Sequence, residues 1–194
     1  MQESIETLRA ELEERLKFET LLAEISVRFV NLPADQIDGE IKETQRRICE
    51  LLNLDRSALW QVPEREPGTL LLTHIHQPQG APPISRQPNA SDLFPWTAQK
   101  VLAGETVAIT KVSELPPEAV RDRESYGLYG TKSTVVVPLS VGGGPIFGLL
   151  TFAVMREKRD WPETVVKGFR LIAQVFANAL ARKHADEQLK KYVG

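Results

Sequence analysis

The segment Thr134–Val154 constrains this chain more than any other. It reads Thr-Val-Val-Val-Pro-Leu-Ser-Val-Gly-Gly-Gly-Pro-Ile-Phe-Gly-Leu-Leu-Thr-Phe-Ala-Val, two apolar runs joined at Gly142-Gly143-Gly144-Pro145. Apolar runs on either side of a glycine-rich break predict a β-hairpin. A phosphate-cradling loop would have to deliver its backbone donors at a helix N-terminus. Here strands flank the glycines and no Gly-Lys-Ser follows, so the three glycines read as a turn.

A length of 194 residues suits one globular core with extensions. A formal net charge of −2 gives no general attraction to nucleic acid or to an anionic membrane. No apolar run approaches the roughly 18 residues needed to enter a bilayer, so no membrane insertion is expected. Met1–Leu8 is acidic and lacks the basic and apolar regions of a signal peptide. The single cysteine, Cys49, cannot form an intramolecular disulfide and fits a reducing cytoplasm.

Glu3 to about Val30 reads as one long helix. Ile5, Leu8 and Leu12 form one apolar stripe, and Phe18, Leu22, Ile25 and Phe29 form a second whose register shifts near Leu16. The second half is expected to pack on the domain. Residues 3–17 have no other obvious surface to cover, which points to a coiled-coil seam with another chain. Leu32-Pro33-Ala34-Asp35 breaks the helix and opens another, whose face is Ile37, Ile41, Ile48 and Leu52. Cys49 lies beside that face and reads as a small core hydrophobe.

Ser57–Val62 and Thr69–Gln77 read as strands joined by a turn, and residues 78–90 as a loop. A short helix follows between Asp92 and Gly104, then a strand at Val107–Val112. A second short helix opens at Leu115 and gives way near Gly127 and Gly130. After the hairpin, Asp160 is expected to cap the last helix, with Pro162 in its first turn. That helix carries Val166, Phe169, Ala173, Phe176 and Leu180 at spacings of three and four, then turns polar.

Strands clustered between terminal helices predict an α+β sandwich with an antiparallel sheet. The ordered set Leu54-Asp-Arg-Ser-Ala-Leu-Trp60, Tyr129-Gly-Thr-Lys-Ser-Thr-Val-Val-Val-Pro-Leu139, Phe147-Gly-Leu-Leu-Thr-Phe152 and Arg159-Asp-Trp-Pro-Glu163 resembles the GAF domain. The final Gln174–Lys183 is similar to GAF modules of bacterial sensor histidine kinases. The resemblance implies a GAF-like (profilin-like) sheet with the terminal helices on one face and a pocket, roofed by short helices and loops, on the other. Together with the helix stripes it divides the chain into a coiled-coil extension over 1–17, a GAF domain over 18–182 and a helical connector over 183–194. The connector would lead to an output domain absent from this sequence.

His74 and His76 stand two apart on a strand and so share a face. They would make half of a metal site, but no nearby Cys, His or carboxylate completes one. An exposed or pocket-facing pair without metal is expected. Phe94, Trp96, Tyr126 and Tyr129 fall on the pocket roof and Trp60 on the first strand; each either stacks a ligand or closes a core. Thr134 and Thr151 interrupt apolar strands, with hydroxyls facing either the cavity or solvent. His184, followed by Ala185-Asp186, lacks the setting of a phosphoacceptor. The cyclic-nucleotide signature known in some GAF domains is missing. Cys49 precedes the sheet, which disfavours covalent bilin attachment, and one cysteine cannot supply the pair used by GAF-fold methionine sulfoxide reductases.

With no nucleophile–base pair, paired carboxylates or metal-ligand set, no enzyme is expected. The expectation is a cytoplasmic signal-sensing module of a two-component histidine kinase, binding an unidentified small molecule and dimeric through its terminal helices. The alternative is a ligand-free dimerisation or docking module of a transcription activator or cyclic-dinucleotide signalling protein. No cofactor is named by the sequence.

Overall fold

In the computed structural model, which describes residues 1–84 and 88–194, the sequence builds six α-helices, three short 3-10 helices and one five-stranded sheet among the described residues. The α-helices are α1 (Gln2–Val30), α2 (Ile37–Leu52), α3 (Ala90–Leu93), α4 (Pro95–Leu102), α5 (Val120–Leu128) and α6 (Glu163–Val193). The strands are β1 (Arg56–Gln61), β2 (Leu71–His76), β3 (Val107–Ile109), β4 (Ser133–Leu139) and β5 (Gly148–Val154). Residues 85–87 of the expected 78–90 loop lie outside the described residues.

The sheet order is β2-β1-β5-β4-β3, with every neighbouring pair antiparallel. The expected hairpin is β4–β5, in register from Ser133–Val154 to Leu139–Gly148. Its glycines make the turn. Gly142 and Gly143 have φ of 56° and 71°, and Gly144 N–H closes on Val141 O at 2.9 Å. Positive φ at both central residues is the type I′ pattern, which glycine adopts without steric cost.

Strand alternation sends neighbouring side chains to opposite faces. Val135, Val137, Leu150 and Phe152 face α1, α2 and α6, where they join Ile41, Ile48, Phe169 and Phe176 in the larger core. Ala58, Trp60, Val136 and Leu149 face α3–α5 and build the smaller one. Phe152 and Phe169 stack with ring centroids 4.1 Å apart. Burying each such large side chain contributes about 1.5–3 kcal/mol.

α1 and α6 run side by side in the same direction. Phe18 meets Phe169, and further along Phe29 meets Phe176. The Arg182 guanidinium then donates to the carbonyls of Phe29, Val30 and Leu32, at and just past the end of α1. Buried residues of α1 begin at Phe18, whereas Ile5, Leu8, Leu12 and Leu16 are each more than half exposed.

The start of α6 departs from expectation. Asp160 does not cap it: the helix begins at Glu163, and Pro162 is the N-cap residue (φ −58°, ψ 145°) with no side-chain cap. Asp160 lies two residues ahead of that cap, and the extended Pro162 separates it from the first turn.

Candidate functional site

The sheet face opposite the terminal helices carries a cavity of about 60 Å³. Alternation on β1 brings Arg56, Ala58 and Trp60 to it, at every second residue. Thr134 and Val136 of β4, and Leu149, Thr151 and Ala153 of β5, complete the floor. Phe94, Ala98 and Thr97 close it from above, with Tyr126 and Tyr129 beside them. Phe94 lies 4.5 Å from Tyr126 and 6.4 Å from Tyr129 between ring centroids.

The roof is held by Asp122, a buried carboxylate on α5. It accepts from Trp96 N at 3.0 Å, Thr97 N at 2.8 Å and Thr97 Oγ1 at 2.6 Å. The first N–H groups of α4, open for want of a helical partner, thus find their acceptor on a neighbouring helix. Thr97 Oγ1 gives its proton to Asp122, so the Tyr126 hydroxyl, 3.0 Å away, donates to Thr97. Burial, together with the charge of Asp122, holds the Tyr126 phenol well above its ordinary ionisation range.

The cavity therefore gathers Trp60, Phe94, Tyr126, Tyr129, Thr134 and Thr151 from the residues singled out in the sequence. Both threonine hydroxyls are tied to the sheet. Thr134 donates to Phe152 O at 2.9 Å, and Thr151 accepts from Ala58 N at 3.2 Å. Trp96 is not part of the lining. It packs from the side on the small core, with Lys100 Nζ 5.0 Å from its ring centroid.

His74 and His76 do share a face, but it is the wrong one for the cavity. They pair with Leu59 and Ser57, whose side chains point to the helix side. His74 is buried there, with Nε2 2.8 Å from Asp38 Oδ1 and Nδ1 2.8 Å from Thr73 Oγ1. Among the described residues, no three His, Cys, Asp or Glu side chains cluster to hold a metal ion. Cys49 also lies on the helix side, inside the large core, and burial pushes its thiol up to about 12.

Sequence reasoning missed two polar residues of the site. Arg56 is buried at one end of the cavity, and Asp122 fixes the roof. The signal for Arg56 was present: it sits two and four residues before Ala58 and Trp60, on their face.

Residues 37–180 match the GAF domain family. The chain is a member of that family. Solved structures agree on the fold. A phycocyanobilin-bound GAF domain from a cyanobacterial phytochrome is 21% identical with a TM-score of 0.69, covering 87% of this chain and 96% of its own. The GAF domain of a phosphoenolpyruvate-protein phosphotransferase from Coxiella burnetii is 15% identical with a TM-score of 0.70, covering 90% and 98%. The free methionine-R-sulfoxide reductase from Neisseria meningitidis, in complex with its substrate, is 17% identical with a TM-score of 0.67, covering 89% and 93%. No curated protein matches the sequence. In this GAF domain no helix among the described residues is long and apolar enough to cross a membrane.

Proposed function

We propose that this GAF domain is the non-enzymatic sensory module of a cytoplasmic sensor histidine kinase, and that it binds a small molecule between the sheet and α3–α5. The observation that carries the reading is the separation of the two faces. The cavity lies on one side of the sheet, and the helices that enter and leave the module pack on the other. β4 contributes to both, with Val136 to the cavity and Val135 and Val137 to the core beneath α6. Occupancy that shifts β4 would bias the packing of α6 against α1, and residues 183–194 would carry that change to an output domain. Two of the similar structures are named for a bound small molecule, which supports a small-molecule ligand for a domain of this fold.

The exposed stripe Ile5, Leu8, Leu12 and Leu16 supports dimerisation through the terminal helices. Native mass spectrometry of freshly purified protein tests the sensor reading: a retained small molecule is the expected result. A second reading, a ligand-free docking module, is favoured by how far Trp60, Phe94 and Tyr126 already fill the site. Protein that stays ligand-free and binds no small molecule would establish it instead.

A further inference from the structure

Arg56 is 6% exposed and lines an otherwise largely apolar cavity. Its guanidinium donates from Nε to Gln77 Oε1 at 3.2 Å, from Nη1 to Thr131 Oγ1 at 3.3 Å and from Nη2 to Tyr129 O at 3.0 Å. All three partners are neutral. The nearest acid in sequence, Asp55, is engaged elsewhere: it accepts from Arg156 Nε at 2.9 Å and from Met155 N at 2.6 Å. No ion pair among the described residues includes Arg56, and Ser85, Arg86 and Gln87 contain no carboxylate. Burial lowers the proton affinity of Arg56, with the Asp55 charge opposing, yet a guanidinium keeps its proton in proteins.

A buried cation without a counter-ion is expensive, by several kcal/mol for the desolvation of one ion. Neutral acceptors at these distances recover less than an anion would, since N⁺–H···O⁻ bonds between two charged partners close to roughly 2.7–2.9 Å. Among the described residues three of the five N–H protons are committed, which leaves one on each Nη. Two Nη protons together make a fork that can hold a carboxylate through both oxygens. Beside it, the Thr131 hydroxyl accepts from Arg56 and still has its own proton to give.

We infer that the cavity takes a small monocarboxylate with an apolar body, its carboxylate seated on the two Nη atoms of Arg56. This rests on the cavity being a ligand site. One guanidinium balances one negative charge, so a phosphate dianion would be left half neutralised. The walls beyond Arg56 are Ala58, Ala98, Val136 and Leu149, which suit hydrocarbon. Size sets a further bound. On the same measure a water occupies roughly 10–15 Å³, so about 60 Å³ admits roughly four to six water-sized groups with the roof closed. A larger acid requires α4 and α5 to move outward together, because Asp122 joins them.

The test uses isosteric pairs that differ in charge: propionate against propionamide, and benzoate against benzamide, with inorganic phosphate as a third probe. Binding is followed through amide chemical shifts of Ala58, Thr134 and Ala153 at constant ionic strength. Each acid is expected to bind at least about tenfold more tightly than its amide, and phosphate to leave these shifts unmoved. Arg56→Gln removes that preference, and Arg56→Lys retains part of it. Equal affinity for acid and amide in the wild-type protein, or a preference that survives Arg56→Gln, overturns the carboxylate assignment and leaves the cavity as a site for neutral ligands. Shifts that move with no probe overturn the ligand-site reading and this inference together. The wild-type comparison stands even if the variants fail to fold.

Discussion

Lys183 Nζ lies 2.7 Å from Asp38 Oδ2, and His74 Nε2 lies 2.8 Å from the other oxygen of the same carboxylate. Three elements, α6, α2 and β2, thus meet at one side chain, on the stretch of α6 where its large buried residues end. A carboxylate only accepts, so the His74 Nε2 carries a proton and the Thr73 hydroxyl is placed to donate to Nδ1. Asp38 is half exposed, which limits its net contribution to about 1 kcal/mol or less.

Stability should fall on mild acidification. Burial outweighs the pull of Asp38 and holds His74 below its ordinary 6.5; burial lowers His76 as well. Burial raises the Asp38 carboxyl, but hydrogen bonds from Lys183 and His74 outweigh it and leave it below the usual value. The unfolded histidines take up protons near pH 6.5, before the folded ones do, so acid favours unfolding from there downward. The Asp38 contribution is present above its unfolded value and is lost at still lower pH, in the same direction. Urea midpoints measured from neutral pH into mild acid should be flat at first and then decline below about pH 6.5. His74→Gln should flatten the first part of the decline. A midpoint that climbs on acidification would contradict the assignment.

Gly168 admits no side chain. A Cβ there would overlap the Phe18 ring and come 3.3 Å from Leu22 Cδ1. Gly168→Ala should therefore destabilise by about 1–3 kcal/mol from overpacking, less the roughly 1 kcal/mol that alanine contributes to a helix. Phe18→Leu in the same chain should recover part of the loss. Denaturation of the two single variants and the double variant reads the coupling.

Asp122→Ala should loosen the roof before the sheet. It leaves the N–H groups of Trp96 and Thr97 and the Thr97 hydroxyl without their acceptor, at a cost of about 2 kcal/mol. Hydrogen exchange should quicken in α4 and α5 while β4 and β5 keep their protection. Uniform acceleration across the sheet would show instead that Asp122 supports the whole fold.

Deleting residues 1–17 should weaken self-association and leave the core folded, because the first buried residue of α1 is Phe18. Light scattering and thermal melting of the truncated and full chains check both parts. A truncated protein that unfolds would place the segment in the core.

Much of this was legible in the sequence because apolar spacing reports burial directly. The hairpin, the two-stripe α1 and the stripe Val166–Leu180 of α6 follow from periods of two and of three to four. The aromatic roof was an inference from the family resemblance, which could not separate Phe94, Tyr126 and Tyr129 from Trp96, outside the lining. What spacing cannot show is which side of the sheet a strand turns toward. His74 and His76 were correctly put on one face, but their parity against Leu59 is a matter of register, and a bulge at Leu59/Trp60 adjusts it. Asp122 was hidden for a related reason. Its partners lie on a different helix, 25 and 26 residues away, and no local pattern joins them.

The same-direction packing of α1 and α6 has a mechanical consequence. Their overlap runs from Phe18 beside Phe169 to Phe29 beside Phe176, with Arg182 fastened across the end of α1. The free turns of α1 project from one end of this overlap and those of α6 from the other. A domain joined ahead of α1 and another joined behind α6 would therefore be coupled in series through the GAF domain, as links of a shaft, with the Phe18–Arg182 splice as the direct contact between the two helices.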